Sequence, residues 1–233
     1  MANLKAIRVR LSSVKSTRQI TSAMKMVAAA KLRKAQDAIV QLRPYADKLS
    51  EIQAGLSASL RDTEIENIYA GRKKGNGKVL LVVVTSNKGL CGAFNANVLR
   101  EARRVMSEKY GDLVKKGDLA VMTVGKKAND SLKKLKCNIV ADHSDLYSGL
   151  TFERVAALAD RLMQLYVTKE YDTIEIVYNQ FRNAAVQKLT DEVYLPVTMN
   201  VTASAAAAPA DYICEPDEVS IVSELIPKTL RIK

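Results

Sequence analysis

Apolar residues recur three and four positions apart through residues 4–42, which is the spacing of a coiled-coil seam. Nine of the twelve positions on this repeat are apolar, and no proline or glycine precedes Pro44, so the pattern predicts one long α-helix. At the three polar positions the apolar face shifts to Ile20, Met24 and Val27. The twelve positions are Leu4, Ile7, Leu11, Val14, Arg18, Thr21, Lys25, Ala28, Leu32, Ala35, Ile39 and Leu42.

Helical composition resumes after Pro44 and continues to about Leu60, with a kink expected at the proline. A helix of this length would measure about 80 Å, more than the diameter of a domain of this size, so we expect much of it to project. A projecting helix with an apolar seam is unstable alone in water, so we expect a partner helix to pack against the seam.

Beyond a polar, glycine-containing stretch at residues 61–77, the pattern changes to short β-branched apolar runs that alternate with amphipathic helices. This alternation predicts βαβ units and an α/β fold with a largely parallel sheet. Strands are predicted at 78–85, 118–124, 137–141 and 173–178, helices at 93–110, 126–136 and 152–166, and a hairpin or edge strand within 185–201. The predicted parts are the coiled-coil helix (1–60), a linker (61–77), the α/β domain (78–214) and the start of a C-terminal helix (215–233).

The charge of the chain is concentrated in the first helix. The formal net charge of the 233 residues is +11, and residues 1–36 hold nine cations and no acid, so the rest of the chain is close to neutral. Such one-sided charge indicates an acidic partner, which could be nucleic acid, anionic lipid or an acidic protein surface.

Composition excludes several classes of protein. The three cysteines (Cys91, Cys137, Cys214) are too widely spaced for a disulfide scaffold or a thiolate zinc site, and one histidine cannot build a multi-histidine centre. The longest apolar run, residues 79–84, is too short to span a bilayer, and no secretory signal is evident at the start of the chain. We therefore expect a soluble, intracellular protein.

The loop after the first strand is where α/β folds usually bind ligands, but here it carries no dinucleotide or phosphate-loop motif. We interpret Gly89, Cys91 and Gly92 as a structural turn, and His143, in a polar stretch, as an exposed loop residue. We therefore expect no enzyme activity, no cofactor and no metal. A cofactor-binding enzyme that uses the loop at Gly89–Gly92 is kept as a further hypothesis.

A basic coiled-coil protein that binds nucleic acid is the main alternative, because basic helices can lie in a groove of DNA. Two observations favour a protein partner instead. The cations are distributed around the helix, with some on the seam itself, and residues 24–30 (MKMVAAA) form an apolar patch of mostly small side chains that suits packing against protein.

Four segments of the chain, in order, resemble the gamma subunit family of rotary F-type ATP synthases. The longest is the N-terminal helix, with LKAIRVR at residues 4–10 and ITSAMKMVAAAKL at residues 20–32. The others are GLCGAFN at residues 89–95, YNQF at residues 178–181 and EPD at residues 215–217. The resemblance covers the whole chain.

The resemblance implies a non-catalytic central-stalk shaft. In this family two terminal helices form an antiparallel coiled coil inside a hexamer of alpha and beta subunits, and a Rossmann-like domain lies outside it, beside the epsilon subunit and the membrane c-ring. Rotation driven by protons or sodium ions would press different faces of the shaft on the catalytic beta subunits. The implied location is the cytoplasmic face of a bacterial inner membrane, held peripherally through the ring, with no nucleic-acid partner.

The resemblance also assigns candidate contact residues. Those that would face the alpha and beta subunits are Arg8, Arg10, Arg18, Met24, Lys25, Met26, Val27, Lys31, Arg33 and Lys34. Those that would face the ring and the epsilon subunit are Tyr212, Glu215 and Asp217. Because family members continue well past the position of Lys233, we expect this chain to lack most of the C-terminal helix that would complete the seam.

Overall fold

The computed structural model describes residues 3–59, 68–71, 77–197, 215 and 217–232. The chain divides into two compact units, Met1–Glu51 and Ile52–Lys233, and the second is called the α/β unit below. The helices are α1 (Leu4–Ser59), α2 (Phe94–Arg104), α3 (Gly111–Lys116), α4 (Lys126–Lys134), α5 (Phe152–Val167) and α6 (Glu218–Ile232). The strands are β1 (Val79–Val84), β2 (Leu119–Val124), β3 (Ile139–Asp142), β4 (Thr173–Phe181) and β5 (Gln187–Leu195).

The α/β unit is built on a five-stranded sheet with the order β3-β2-β1-β4-β5. Strand β1 lies in the middle and pairs in parallel with β2 and β4, β3 continues the parallel sheet beyond β2, and β5 is antiparallel to β4. Because both faces of β1 are covered, its run of valine and leucine is buried almost without interruption. The predicted largely parallel α/β sheet is therefore confirmed.

Helices cover both faces of this sheet and divide its core into two layers. On one face, Leu80 and Val82 of β1 pack in a cluster with Leu162 of α5 and Ile226 of α6. On the other face, alternate residues of β1 pack in a cluster with α2 and α4, through side chains such as Val98. This alternation along β1 is the two-residue period of a strand, and it explains why both faces carry apolar residues.

The largest differences between the structure and the sequence prediction lie in α2 and β4, while α4 and β3 differ from their predicted bounds by one or two residues. The helix predicted over residues 93–110 is regular only to Arg104, and a five-residue π-turn, Val105–Lys109, leads into α3. Strand β4 runs three residues past the predicted end because its pairing with β5 continues to Phe181. Both differences depend on contacts between distant parts of the chain, which local periodicity does not report.

Only residues 68–71 and 77 of the predicted linker belong to the described residues. Tyr69 packs against the apolar core beside α5, and its carbonyl oxygen accepts the Val197 amide at 2.8 Å. The Tyr166 hydroxyl donates to the carbonyl oxygen of Ala70 at 2.6 Å. This short segment is thus held by the α/β unit. The boundaries of the four predicted parts stay predictions.

Helix α1 is 56 residues long and continues through Pro44 without ending. At 1.5 Å per residue its axis measures about 84 Å, close to the length predicted from the sequence. Among the described residues, no helix is both long enough and apolar enough to cross a membrane.

Candidate functional site

The basic residues of α1 present their side chains to solvent. All seven cations predicted to contact alpha or beta subunits are exposed, and none of them forms a salt bridge within the part of the chain that the structure describes. An ion pair further along the helix joins Lys48 and Glu51 at 2.9 Å, where acids have reappeared in the sequence. Residues 4–36 of α1 therefore offer unneutralised positive charge. The seven cations are Arg8, Arg10, Arg18, Lys25, Lys31, Arg33 and Lys34.

Large apolar side chains are exposed on the same part of the helix. The exposed fraction is 58% for Met24, 66% for Met26 and 57% for Val27, and the seam residues Leu11 and Val14 are equally open. Contact of so much apolar surface with water is unfavourable, and exposed apolar side chains of this kind suit packing against protein. Residues 24–27 thus combine apolar surface with neighbouring positive charge.

Helical geometry separates the predicted contact residues into different sides of α1. Met24, Val27, Lys31 and Lys34 follow a spacing of three and four residues, so they share one side. Met26 lies two residues from Met24, about 200° around the axis, and therefore faces the opposite side. The ten predicted residues do not form one face, and a partner that touches all of them must surround the helix or meet it in more than one orientation.

The turn of Gly89, Cys91 and Gly92 lies between the carboxyl end of β1 and the start of α2. Asn95 holds it, because its Oδ1 accepts the Ser86 amide at 3.0 Å and its Nδ2 donates to the Ser86 hydroxyl at 2.9 Å and to the Cys91 sulfur at 3.2 Å. The backbone of Gly92 has a φ of +57°, a conformation that glycine adopts without steric cost. Cys91 is exposed.

At the carboxyl ends of β1 and β2, the chain's own side chains form hydrogen bonds with the start of α4 and with the strand end. The amides of Lys126 and Ala128 at the start of α4 donate to Asn87 Oδ1 at 2.8 Å and to Thr85 Oγ1 at 2.9 Å. The Tyr147 hydroxyl donates to the carbonyl oxygen of Thr85 at 2.8 Å. Amides at a helix N-terminus are the groups that bind phosphate in nucleotide-binding folds, and here they are already hydrogen-bonded.

A side chain on β4 also forms a hydrogen bond at the carboxyl ends of β1 and β4. Strand order reverses at this point, which is where doubly wound sheets usually bind a ligand. The Asn179 side chain on β4 donates its Nδ2 to the carbonyl oxygen of Phe94 at 3.0 Å and so ties the first residue of α2 to the sheet. At both places, side chains at or after the strand ends form hydrogen bonds within the α/β unit.

His143 and the cysteines do not meet in the described residues. His143 follows β3, and its backbone amide donates to the carbonyl oxygen of Thr123 at 2.8 Å. Cys137 precedes β3 and is half-buried, and burial raises the pKa of its thiol. Among the described residues, no hydrogen bond joins His143 to Cys91 or Cys137.

Two of the three residues predicted to face the ring and the epsilon subunit can be located. Glu215 is exposed, and Asp217 is the residue before α6, while Tyr212 lies outside the described residues. The Asp217 carboxylate accepts the Ser220 amide at 2.8 Å and the Ser220 hydroxyl at 2.7 Å, so it caps the helix. The sequence analysis missed this role, although an aspartate just before a run with helical apolar spacing is a recognisable start signal.

Replacing Asp217 with alanine should lower the free energy of unfolding of the α/β unit by about 1 kcal/mol, because one amide at the start of α6 loses its acceptor. Urea-induced unfolding followed by tyrosine fluorescence would measure this change. Asp217→Asn keeps a capping oxygen and should be close to neutral. Equal losses for alanine and asparagine would show that the carboxylate acts by its charge and not as a cap.

The sequence analysis also missed a buried ionic cluster on β4. Glu175 is 0% exposed, and its carboxylate accepts two hydrogen bonds from Lys109 Nζ at 2.8 Å and one from the Tyr110 hydroxyl. Burial, followed by the hydrogen bond to Glu175, raises the pKa of Tyr110. An acidic residue inside the strand-like run TIEIVY was the available signal, since a charge in a buried strand needs a partner.

Together these observations describe a protein of a particular class, which has a long exposed basic helix and an α/β unit with a largely parallel sheet. A comparison with protein families assigns the class independently. A family model described as ATP synthase matches residues 3–233.

Individual relatives show which subunit of the ATP synthase this chain resembles. The ATP synthase gamma chain of Flavobacterium johnsoniae is 48% identical over 231 residues, which cover 99% of this chain and 78% of that protein. The ATP synthase gamma chain of Chlorobaculum tepidum is 40% identical over 230 residues, with the same two coverages. The chain belongs to the gamma chain family of ATP synthases and is a non-catalytic subunit of that complex.

A solved structure agrees with this fold. A chain of the Tetrahymena thermophila mitochondrial ATP synthase, described as central stalk and c-ring, superposes with a TM-score of 0.58 at 22% identity. The match covers 91% of this chain and 88% of the other. At this identity the likeness supports the architecture, a long helix with an α/β unit, and the prediction of fold class is confirmed.

Proposed function

We propose that the chain is the central-stalk rotor shaft of an F-type ATP synthase and transmits rotation to the catalytic beta subunits. The observation that carries the proposal is α1, a 56-residue helix, together with its charge: residues 1–36 of the chain hold nine cations and no acid. Membership in the gamma chain family supplies the context in which such a helix would work.

The mechanism follows from the asymmetry of the helix. An element can shift the conformational equilibrium of a partner only if its contacts differ in free energy between the partner's states. The side with Met24, Val27, Lys31 and Lys34 differs from the side with Met26 and Arg33, so each rotational position would present a different surface to a given beta subunit. Exposed charge pairs are individually weak and are screened by salt, which suits a contact that must break at every step.

The proposed partners are the alpha and beta subunits around α1, and the epsilon subunit and c-ring near residues 212–217. The chain would then lie at the cytoplasmic face of a bacterial membrane, attached through the ring and driven by protons or sodium ions. The ten contact residues on α1 and the three ring-facing residues belong to this proposal. The turn at Gly89–Gly92 would be structural.

A pair of charge reversals on α1 tests the proposal. Lys31→Glu together with Lys34→Glu should weaken assembly with purified alpha and beta subunits about tenfold at low salt, because two attractions become repulsions. Lys5→Glu with Lys15→Glu changes the same charge on the same exposed helix outside the proposed contact set and should change assembly less than about twofold. Binding titrations, followed by ATP-driven rotation of the assembled complex, would measure both pairs.

Three outcomes would contradict the proposal. Equal losses for both pairs would mean that general positive charge and not the proposed contacts drives assembly. Failure of the unmodified chain to assemble with alpha and beta subunits, combined with salt-sensitive retention of DNA, would favour a nucleic-acid-binding protein. Saturable nucleotide binding by the chain alone would favour the cofactor-binding hypothesis.

A further inference from the structure

A groove lies at the amino-terminal edge of the parallel strands, opposite the edge that holds the Gly89–Gly92 turn. Its volume is about 700 Å³, within the range of ligand and peptide sites. One wall is formed by the π-turn and α3, the other by residues 135–138 after α4, and the floor includes Leu119 and Val121 of β2. The groove lies wholly within the α/β unit.

Apolar side chains that line this groove remain open to water. Val114 is 44% exposed and Leu135 is 48% exposed, and they lie on opposite walls. Met106 and Leu113 line the groove and also contact the apolar core beneath it. The groove thus has an apolar interior that continues the core outward, as in a site that accepts an apolar anchor.

The rim of the groove carries positive charge that the protein does not neutralise. Arg103 and Lys136 are exposed and form no salt bridge among the described residues. Lys115 lies 4.0 Å from Asp112, but both side chains are more than four-fifths exposed, so this pair is weak. Of the other acids, Glu108 is bound by Arg104 at 3.0 Å. Basic residues at helix ends also offset the helix dipole, but this does not explain the apolar side chains exposed between them.

The wall formed by the π-turn is held from behind by the buried cluster. Lys109 and Tyr110 line the groove and at the same time donate to the fully buried Glu175 carboxylate on β4. Burying a carboxylate is costly, and here the cost is offset by contacts that fix the position of the π-turn. π-turns inside helices occur often at functional sites. One wall of the groove is therefore held in a fixed position by hydrogen bonds to a buried residue.

We propose that this groove binds an acidic polypeptide segment that inserts apolar side chains. Cations on both walls, including Arg103, Lys115 and Lys136, are complementary to several acidic residues spread along a chain and not to a single carboxylate. Because the groove is concave, a polypeptide segment can enter it, whereas a flat lipid surface would reach only the protruding side chains. This inference rests on the α/β unit alone and does not depend on the proposed function of α1.

The test uses the full chain and a short fluorescein-labelled peptide of glutamate and leucine, with a lysine and leucine peptide of the same length as its counterpart. The acidic peptide should bind saturably. Arg103→Glu with Lys136→Glu should weaken binding about tenfold, and Lys126→Glu with Lys127→Glu, at the other end of α4, less than about twofold. Leu135→Ala should weaken binding several-fold without a change of charge.

A second measurement locates the peptide. Cys137 lines the groove and is half-buried, so bound peptide should slow its alkylation in a Cys91→Ser, Cys214→Ser background. Absence of saturable binding, equal affinity for the lysine peptide, or equal loss in both charge-reversal pairs would overturn the proposal. Binding of phosphatidylglycerol vesicles that depends on Arg103 and Lys136, without peptide binding, would replace it with a lipid contact.

Discussion

Replacing Lys109 with methionine should lower the free energy of unfolding of the α/β unit by about 3–5 kcal/mol, because the substitution leaves the carboxylate of Glu175 buried without a cation. Glu175 is 0% exposed and cannot reach water, whereas the Lys109 side chain is 46% exposed. Methionine keeps most of the apolar length of lysine, so the loss reports the charge and not the packing. Urea-induced unfolding followed by tyrosine fluorescence would measure it.

A substitution of Glu175, the other member of this ion pair, provides a control. Glu175→Gln should cost less than Lys109→Met, because Lys109 without its partner can turn toward solvent and the amide of glutamine can still accept from Tyr110. The double variant should recover much of the loss of Lys109→Met, since no buried charge remains. If Lys109→Met and Glu175→Gln are equally destabilising and their losses add, the cluster is not a coupled ion pair and the first prediction is wrong.

Replacing Gly125 with alanine should destabilise the α/β unit by about 3 kcal/mol or more. A Cβ atom at this position would lie 2.1 Å from the carbonyl oxygen of Thr85, and the residue has a φ of +116°. The obstacle is backbone of the adjacent strand end, which cannot move without disturbing the hydrogen bond from the Thr85 amide to the carbonyl oxygen of Val124 at 2.8 Å. Thermal or urea unfolding would measure the loss.

Gly92→Ala is the matched control for Gly125→Ala. Gly92 also has a positive φ, +57°, but no atom lies within 4 Å of the position of its Cβ. Its substitution should cost only about 1 kcal/mol from backbone strain. The difference between the two variants isolates the steric overlap at the carboxyl ends of β1 and β2. Similar losses at both glycines would mean that the overlap is relieved by a small backbone shift.

The elements of the fold were predictable because their signals are local. A short β-branched run such as VLLVVV at residues 79–84 favours a strand that is covered on both faces. The apolar seam and the lack of proline or glycine before Pro44 predict α1. The π-turn at Val105–Lys109 was not predictable in this way. Its backbone geometry is tied to Glu175, which lies 66 residues from Lys109 along the chain.

The residues of the candidate site also differ in whether a local sequence signal predicts them. The basic character of α1 and its exposed apolar patch follow from composition and helical spacing, whereas the rim of the groove combines residues such as Arg103 and Lys136 that no short motif connects. The role of Asp217 as a helix cap was not predicted, although the sequence carries a local signal for it. The roles of the α1 residues toward partner subunits stay predictions.

The sequence by itself determined the existence of a long basic helix, the alternation of strands and helices, and the resemblance to the gamma chain family, because all three depend on residue order within short windows or motifs. The tertiary structure alone decided that Thr85, Asn87 and Asn179 bind the starts of α4 and α2, that Gly125 must lack a side chain, and that Glu175 holds the π-turn. These features arise where strand ends and helices from distant parts of the chain meet, and their hydrogen bonds and steric contacts exist only after that packing has formed.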